Sequence, residues 1–222
     1  MIALQTNTFE FWAKYFPQLL AGLGVSLQLT ALALLFGLPL GLLLALGTEA
    51  KLRAVRWLSV AVVEVGRGAP ALVVLYVVYF GLPLLSWSPE AFICAVIGLT
   101  YTTAAYTSEY LRGGLKAVNP GSVEAAHALA MTSGDVLRFV VIPQGLRVAV
   151  PALMGFAIQI FQATSLAYSI TVSELTANAS GIASSSFRAL EIFALAGLMY
   201  AAITVPTSWL TNKVEERLTL RQ

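Results

Sequence analysis

Amide and hydroxyl side chains form a file within an apolar stretch that contains no Lys, Arg, Asp or Glu from residue 148 to residue 173. Gln159, Gln162, Ser165 and Ser169 follow one another at intervals of three and four, and Thr164 precedes Ser165. On a helix this spacing places Gln159, Gln162 and Ser165 on one face. Uncharged polar groups of this kind can bind a small polar molecule, or they can bond one helix of a bundle to another. The pattern leaves both functions open.

Two pairs of opposite charges have the helical spacing i, i+3. Glu64 and Arg67 stand at a predicted helix break, and Glu109 and Arg112 directly precede a pair of glycines. Placing charged side chains in or near a membrane costs free energy, so residues kept there are candidates for a functional site. Glu64 and Arg67 could meet the ammonium and the carboxylate of a zwitterionic ligand, or they could simply pair with each other. For Glu109 and Arg112 we predict a structural ion pair.

The sequence motifs of common catalytic and metal sites are absent. The chain has no G-x-x-x-x-G-K-[ST] phosphate loop, no H-E-x-x-H and no G-x-S-x-G. His127 is the single histidine and Cys94 the single cysteine, so no metal cluster and no intramolecular disulfide are expected. No basic patch with interleaved aromatic residues points to nucleic acid. We therefore predict that the protein is not an enzyme, holds no metal or cofactor of its own and does not bind nucleic acid.

The elements that position these residues are predicted to be membrane-spanning helices. Of the 222 residues, 58% are hydrophobic and only 11% are charged, a charged share well below that of soluble proteins. Each of five stretches free of Lys, Arg, Asp and Glu can hold a helix of the ~20 residues that a bilayer core requires. These stretches are residues 15–48, 68–89, 91–108, 148–173 and 192–212. The sequence thus predicts an all-α, multi-pass membrane protein with five transmembrane helices, and in it Gln159 and Gln162 fall near the middle of the bilayer.

Basic residues predict the orientation of these helices. With the N-terminus outside, most Lys and Arg residues fall into inner segments, and only Lys14 and Arg188 fall outside. Because cytoplasmic loops are enriched in Lys and Arg, we expect an outside N-terminus and an inside C-terminus. The inner basic residues are Lys51, Arg53, Arg56, Arg112, Lys116, Arg138, Arg147, Lys213, Arg217 and Arg221, with Arg67 near the inner end of the second span.

Three polar or aromatic segments lie outside the predicted spans. Residues 1–18 are rich in aromatic side chains and suit an interfacial segment, followed by a membrane domain over residues 19–222. Residues 173–188 are expected to form an external loop with a short surface helix. Between the third and fourth spans, we predict one short helix over residues 122–131 with Ser122 as its N-cap, and a second from Asp135 to Pro143. This cytoplasmic pair is too small to fold alone and therefore requires a docking surface.

Several motifs together resemble one family of membrane proteins. "EAAHALA" followed by "VVIP" resembles the EAA loop of permease subunits of bacterial ABC importers, with Ala130 in place of the family's glycine. The motifs "EVGRGAP", "AYTSEYLRGGLKAV", "VIPQGLRVAVPAL" and "ATSLAYSITVSELT" occur in the order and spacing of the polar amino acid uptake branch. Many relatives have Lys-Asp or Lys-Asn just before Thr-Ser-Leu, where this chain has Gln162-Ala163.

The resemblance implies the type I importer permease fold of five spans and a role for each polar segment. The segment of residues 119–143 would carry a coupling helix that docks on a separate ABC ATPase dimer, which binds ATP and Mg. A second permease chain, identical or homologous, would complete the pathway, and an extracytoplasmic binding protein would deliver the substrate. Residues of the pathway would be Glu64, Arg67, Gln159, Gln162, Thr164 and Ser165, and residues of the coupling contact Glu124, Ala125, Ala126, Ala128, Ala130 and Pro143.

The function implied is the import of a polar amino acid, or a close analogue, across the bacterial cytoplasmic (inner) membrane. The lack of an acidic residue after Gln162 argues against lysine or arginine as the substrate if that acid favours cationic amino acids in relatives. The alternative is a self-sufficient secondary carrier or channel. A conspicuous cytoplasmic docking helix and the lack of an internal repeat disfavour that alternative.

Overall fold

The computed structural model describes residues 7–219, and within these residues the chain contains helices and no strand. Four helical segments are long and apolar enough to cross a membrane, and a bent helix pair raises the number of spans to five if the pair counts as one. The α-helices are α1 (Thr8–Thr48), α2 (Arg53–Gly68), α3 (Ala71–Gly81), α4 (Ala91–Lys116), α5 (Pro120–Ala128), α6 (Ser133–Val136), α7 (Ile142–Ala163), α8 (Leu175–Ser186) and α9 (Ala189–Thr219). The predicted all-α fold is therefore confirmed.

The second span is a broken helix. α2 ends at Gly68, and α3 begins at Ala71 after Ala69 and Pro70 in extended conformations. Proline removes a backbone donor and disfavours helical geometry in the residue before it, which explains the break. The apolar stretch of residues 68–89 is thus not one straight helix, because α3 also gives way to a 3-10 turn over Leu82–Leu85.

The chain divides into two compact units. Unit one comprises residues 1–33, 70–99 and 159–207, and its apolar core joins the first half of α1 to α8 and α9. On α8 the buried positions recur with helical spacing, so that one face of this polar-looking helix is apolar. The core residues include Phe11, Leu19, Leu23, Phe161, Leu175, Ala179, Ile182, Ile192, Leu195 and Met199.

Unit two comprises residues 34–69, 100–158 and 208–222, and its helices approach one another closely. Gly37 and Gly41, four residues apart on α1, face Thr103 and Thr107 of α4. A methyl group on Gly37 would lie 2.5 Å from the side chain of Thr103, so the contact requires glycine. Small residues let helix backbones meet in a membrane, where the hydrophobic effect supplies no force between helices.

The first cytoplasmic helix begins earlier than the sequence predicts. The N-cap is Asn119, whose side-chain oxygen accepts a 2.9 Å hydrogen bond from the Gly121 amide, and Pro120 occupies the first turn. The prediction of Ser122 as the cap was wrong, because proline is favoured in a first helical turn and asparagine immediately before it. α5 ends at Ala128, and Ala130 beyond it has a left-handed backbone with φ of 56°.

The second cytoplasmic helix is not a separate element that ends at Pro143. α6 begins after its cap Thr132, continues through a π-helical segment over Leu137–Val141 and merges into α7. The fourth span also begins before the stretch of residues 148–173 from which it was predicted, because α7 starts at Ile142 and Pro151 lies inside it. A candidate span extends over the whole run from Ser133 to Ile170. π-helical turns widen a helix locally, and this one ends two residues before Pro143, which cannot donate a backbone hydrogen bond.

The N-terminal aromatic segment is continuous with the first span. Residues 1–6 lie outside the described part of the chain, and from Thr8 onwards α1 runs without a break to Thr48. Phe11 is buried, and the indole nitrogen of Trp12 donates a 3.0 Å hydrogen bond to the backbone carbonyl of Glu191. The segment therefore packs against the beginning of α9. The distinct interfacial element predicted for residues 1–18 is not separated from the span by any break after Thr8.

Candidate functional site

The polar file of α7 divides into exposed amides and internally bonded hydroxyls. Gln159 and Gln162 are exposed, whereas Thr164 is fully buried and donates a 2.7 Å hydrogen bond to the carbonyl of Phe161. Ser165 is half-buried and donates to the carbonyl of Gln162 at 2.7 Å. The α-helix ends at Ala163, and a 3-10 helix runs from Thr164 to Ile170. Of these four side chains, only those of Gln159 and Gln162 are exposed and lie within the regular α-helix.

The four predicted charged residues form one network in unit two. Arg67 lies 3.5 Å from a carboxylate oxygen of Glu64 and 3.5 Å from one of Glu109. Arg112 binds both carboxylate oxygens of Glu109, at 2.9 and 2.6 Å. Glu109 thus lies between two guanidinium groups and joins the end of α2 to α4. This arrangement supports a structural function for Glu109 and shows that Arg67 already has partners.

The hydroxyl of Tyr106 strengthens the same junction. It donates a 3.2 Å hydrogen bond to the carbonyl of Arg67 at the end of α2, and the ring stacks on Phe156 of α7 at a centroid distance of 5.1 Å. Farther along, Lys116 at the end of α4 forms a 2.9 Å ion pair with Glu49. The polar and aromatic contacts therefore tie the ends of several helices of unit two together.

The predicted coupling residues lie mainly on one exposed surface. Glu124, Ala125, Ala128 and Ala130 are exposed, whereas Ala126 is buried against the rest of unit two. Pro143, in the first turn of α7, is also exposed. Two large apolar side chains extend this surface, since Leu129 is 79% exposed and Phe139 is 61% exposed. A helix that shows small, apolar and acidic side chains to its surroundings is suited to contact with another protein.

A polar cleft beside α5 was not expected from the sequence. Its volume is about 370 Å³, and it lies between the start of α5 and the start of α7. Asn119, Ser122, Gln144 and Arg147 supply its polar lining. Arg147 is one of the basic residues that predict the orientation of the helices, and its place in a cleft was not predicted. The missed signal was the repeat of Gln144 and Arg147 at i, i+3 near a proline, which predicts that both face one side of a helix.

Glu174 is fully buried, although it belongs to the segment that the sequence predicts as an external loop with a short surface helix. It caps α8, and its carboxylate oxygens accept 2.8 Å hydrogen bonds from the amides of Thr176 and Ala177. The hydroxyls of Ser26 and Tyr200 bond to the same carboxylate at 3.3 and 3.0 Å. Burial raises the pKa of the Glu174 carboxyl above its ordinary value, although these hydrogen bonds act in the opposite direction.

The signal for burial at this position was the apolar pattern after it. Leu175, Ala179 and Ile182 recur at intervals of four and three, which predicts one buried helical face directly behind Glu174. At the other end of the same segment, the guanidinium of Arg188 binds both carboxylate oxygens of Glu191. Within residues 7–219 no group of three or more His, Cys, Asp or Glu side chains could hold a metal ion.

The fold and these surfaces define a multi-pass helical membrane protein with exposed amides on an apolar helix of unit one and, in unit two, a short exposed helix. Residues 37–220 match the family described as the binding-protein-dependent transport system inner membrane component, and the chain belongs to that family. The family resemblance is confirmed, and with it the prediction that this subunit is a membrane component and not the ATPase. The type I importer permease fold is confirmed by the solved structure of an amino acid ABC transporter described below.

Relatives with related names cover nearly the whole chain. The probable amino-acid ABC transporter permease protein PatM of Vibrio harveyi is 36% identical over 200 residues, which are 89% of this chain and 90% of that protein. The nopaline transport system permease protein NocM of Agrobacterium fabrum is 37% identical over 210 residues, 90% of this chain and 87% of that protein. The chain is therefore an ABC transporter permease subunit and a multi-pass inner membrane protein.

Solved structures agree with this assignment. The crystal structure of an amino acid ABC transporter with histidines includes a chain that is 32% identical, with a TM-score of 0.91, and the match covers 96% of this chain and 100% of that one. The inward-facing MetNI methionine ABC transporter matches with a TM-score of 0.68 at 17% identity, over 90% of this chain and 98% of that one, and this likeness concerns the fold alone.

Proposed function

We propose that this chain forms part of the pathway through which an ABC importer carries a polar amino acid, or a close analogue, into the bacterial cytoplasm. The observation that carries the proposal is the agreement among relatives at 30–37% identity. Their names assign them to the transport of amino acids, nopaline, octopine, L-cystine and arginine. Each of these relatives aligns with at least 86% of this chain.

The pathway residues in this proposal are Gln159, Gln162 and Ser165, with Glu64 and Arg67 nearer the cytoplasm. The two exposed amides support it, because an unpaired amide on a membrane helix is favourable only where another polar group meets it. Neutral amides suit a substrate with an uncharged polar side chain better than one with a cationic side chain. Thr164 contributes indirectly, since its buried hydroxyl holds the backbone at the end of α7.

The partners in the proposal are an ABC ATPase pair, a second permease chain and an extracytoplasmic binding protein. ATP and Mg are bound by the ATPase, which docks on the surface of Glu124, Ala125, Ala128 and Ala130 at and after α5. The exposure of these residues supports a docking contact. Ala126 supports the helix from within the permease because it is buried.

We further propose that the N-terminus is outside and the C-terminus inside. The distribution of charge between the two units supports this orientation. Ten of the twelve lysines and arginines between residues 7 and 219 belong to unit two, and the other two are Lys14 and Arg188. Unit two contains the connections predicted to face the cytoplasm, including α5, and enrichment in basic residues is typical of that side.

Reconstitution of the complete transporter tests the function. The permease, the ATPase and the binding protein are incorporated into liposomes, and uptake of a panel of labelled polar amino acids is measured with and without ATP. We expect uptake that requires both ATP and the binding protein. Uptake by the permease alone, driven by an ion gradient and indifferent to ATP, would establish the self-sufficient carrier instead. A complex that hydrolyses ATP and transports none of the amino acids would refute the substrate class.

A further inference from the structure

The carboxylate of Glu174 forms hydrogen bonds with three helices of unit one. It caps α8 through two backbone amides, and it accepts hydrogen bonds from Ser26 of α1 and Tyr200 of α9. The side chain is fully buried in a segment of small polar residues. Keeping an ionisable group in such a place costs free energy that a neutral amide or an apolar side chain would not cost. This cost suggests that the carboxylate has a function in addition to capping α8.

The first link from Glu174 leads to the amides of α7. Tyr200 donates its hydroxyl to Glu174, and its ring lies against Phe161 at a centroid distance of 5.2 Å. Phe161 is buried and directly precedes Gln162, whose side chain is exposed. A hydrogen bond at one end of the tyrosine fixes the ring, and the ring in turn fixes the last turn of α7.

The second link passes through α8. Ser180 donates a 3.0 Å hydrogen bond to the hydroxyl of Tyr168, which belongs to the 3-10 helix of Thr164–Ile170. This 3-10 helix continues directly from the end of α7. The orientation of α8, which is set at its first residue by Glu174, is thus transmitted to the segment that follows Gln162.

We propose that Glu174 is a positioning residue for the amides on α7, acting through Tyr200 and through α8 to hold Gln162 in its exposed orientation. The inference rests on the proposed function, since Gln162 lies on the pathway only in that proposal. The mechanical link itself belongs to unit one and can be tested without transport.

The fold supplies enough other contacts for α8 to remain docked when the carboxylate is changed. Gly22 of α1 approaches the backbone of Glu174 so closely that a methyl group there would lie 2.9 Å from its carbonyl oxygen. The apolar face of α8, with Leu175, Ala179 and Ile182, is buried in the core of unit one. Replacement of Glu174 by glutamine is therefore expected to alter orientation more than assembly.

The test measures the reactivity of a reporter thiol at position 162. Cys94 is buried and is replaced by alanine, Gln162→Cys is introduced, and the purified complex with its ATPase is treated with N-ethylmaleimide. Glu174→Gln and Tyr200→Phe are then compared in this background. Tyr200→Phe keeps the ring on Phe161 and removes only the hydroxyl. Glu191→Gln is the matched control, because it breaks the pair with Arg188 at the other end of α8.

We expect both Glu174→Gln and Tyr200→Phe to change the labelling rate roughly fivefold, the factor that corresponds to the loss of one hydrogen bond of ~1 kcal/mol. Glu191→Gln is expected to leave the rate near that of the background. Equal rates in all four proteins would overturn the inference, and so would an equal change in the Glu191→Gln control. If Glu174→Gln does not assemble, Tyr200→Phe decides the question by the same criterion.

A second measurement separates this inference from the proposed function. In liposomes, with Gln162 and Cys94 restored, Glu174→Gln should raise the KM of uptake several-fold while the maximal rate of ATP hydrolysis stays near wild type. If the thiol rate responds and uptake of every amino acid tested does not, the positioning link stands and the pathway assignment fails. If uptake of amino acids depends on Gln162 while the thiol rate is indifferent to Glu174, the pathway stands and the positioning role fails.

Discussion

The guanidinium of Arg67 lies 3.5 Å from the carboxylate of Glu109, which joins the end of α2 to α4 across 42 positions of the sequence. Arg112 binds the same carboxylate from within α4. The sequence suggested two separate pairs with i, i+3 spacing, and the fold merges them. Because Glu109 contacts two guanidinium groups, its removal leaves both without their shared partner.

Glu109→Gln is therefore expected to destabilise the permease by about 1–3 kcal/mol, the range for hydrogen bonds to charged groups that are partly buried. The measurement is the thermal unfolding of the purified complex in detergent. Glu64→Gln is the matched control, because its side chain is 65% exposed and makes one 3.5 Å contact with Arg67. Exposed pairs contribute at most ~1 kcal/mol. An equal effect of the two substitutions would contradict the central position of Glu109.

Glu124→Arg is expected to weaken docking of the ATPase. The carboxylate is exposed on α5 and is available to a basic group of the partner. Breaking a buried, bonded charge contact costs about 2–5 kcal/mol, which lowers affinity at least ~tenfold. The measurements are the yield of co-purified ATPase and the rate of substrate-stimulated ATP hydrolysis. Glu216→Arg, an exposed charge reversal in α9, is the control and should leave both unchanged. Wild-type docking of Glu124→Arg would remove this contact from the proposal.

Ala130→Gly is expected to stabilise the coupling region. Ala130 has a left-handed backbone with φ of 56°, which costs a residue with a Cβ about 1–2 kcal/mol relative to glycine. Ala128→Gly is the matched control on α5, where glycine in place of alanine should destabilise by up to ~1 kcal/mol. Hydrogen exchange of residues 120–136 in the two variants measures the difference. Protection that changes in the same direction in both would contradict the strain at Ala130.

Gln162→Leu is expected to reduce the rate of uptake or to change the preference among amino acids, while the complex with the ATPase still forms. The physical reason is the loss of an exposed amide from a surface that is otherwise apolar. Gln18→Leu supplies the control, because Gln18 is an exposed glutamine of unit one whose only described bond uses its backbone carbonyl. Uptake kinetics of Gln162→Leu that match those of Gln18→Leu would favour helix packing as the role of Gln162.

The free energy of unfolding should depend on pH in a way that reflects the titration of Glu174. Burial raises the pKa of this carboxyl, so the unfolded chain releases the proton at a lower pH than the folded chain does. Between the ordinary pKa and the raised one, the folded state binds more protons, and the free energy of unfolding therefore falls as pH rises. Tyr200 is the titratable side chain bonded to Glu174.

The measurement is the unfolding of wild type and Glu174→Gln at a series of pH values from the ordinary glutamate pKa upwards. The glutamine variant lacks the titration, so its stability should decline less with rising pH. A steeper decline in the variant would mean that the hydrogen bonds outweigh burial and that the carboxylate is the favoured form.

The sequence by itself determined the class of protein and identified several polar side chains within its apolar stretches. Long apolar stretches require helices in a membrane, because every backbone amide must be bonded within its own segment there. Polar side chains are rare in such stretches. The amides of Gln159 and Gln162, and Glu64 with Arg67 at i, i+3, are therefore easily recognised in the sequence. The EAA pattern at Glu124 gave the family. All of these signals are local in sequence, so they could be found without knowledge of the fold.

The tertiary structure decided what depends on residues distant in the sequence. Pairing of Arg67 with Glu109 requires α2 and α4 to meet, and burial of Glu174 requires Ser26 and Tyr200 to converge from 148 and 26 positions away. Spacing within one segment contains no information about such partners. The polarity of its neighbours therefore predicted a loop at Glu174. The segment is buried only because it contacts α1 and α9, and the neighbouring residues do not reveal those contacts.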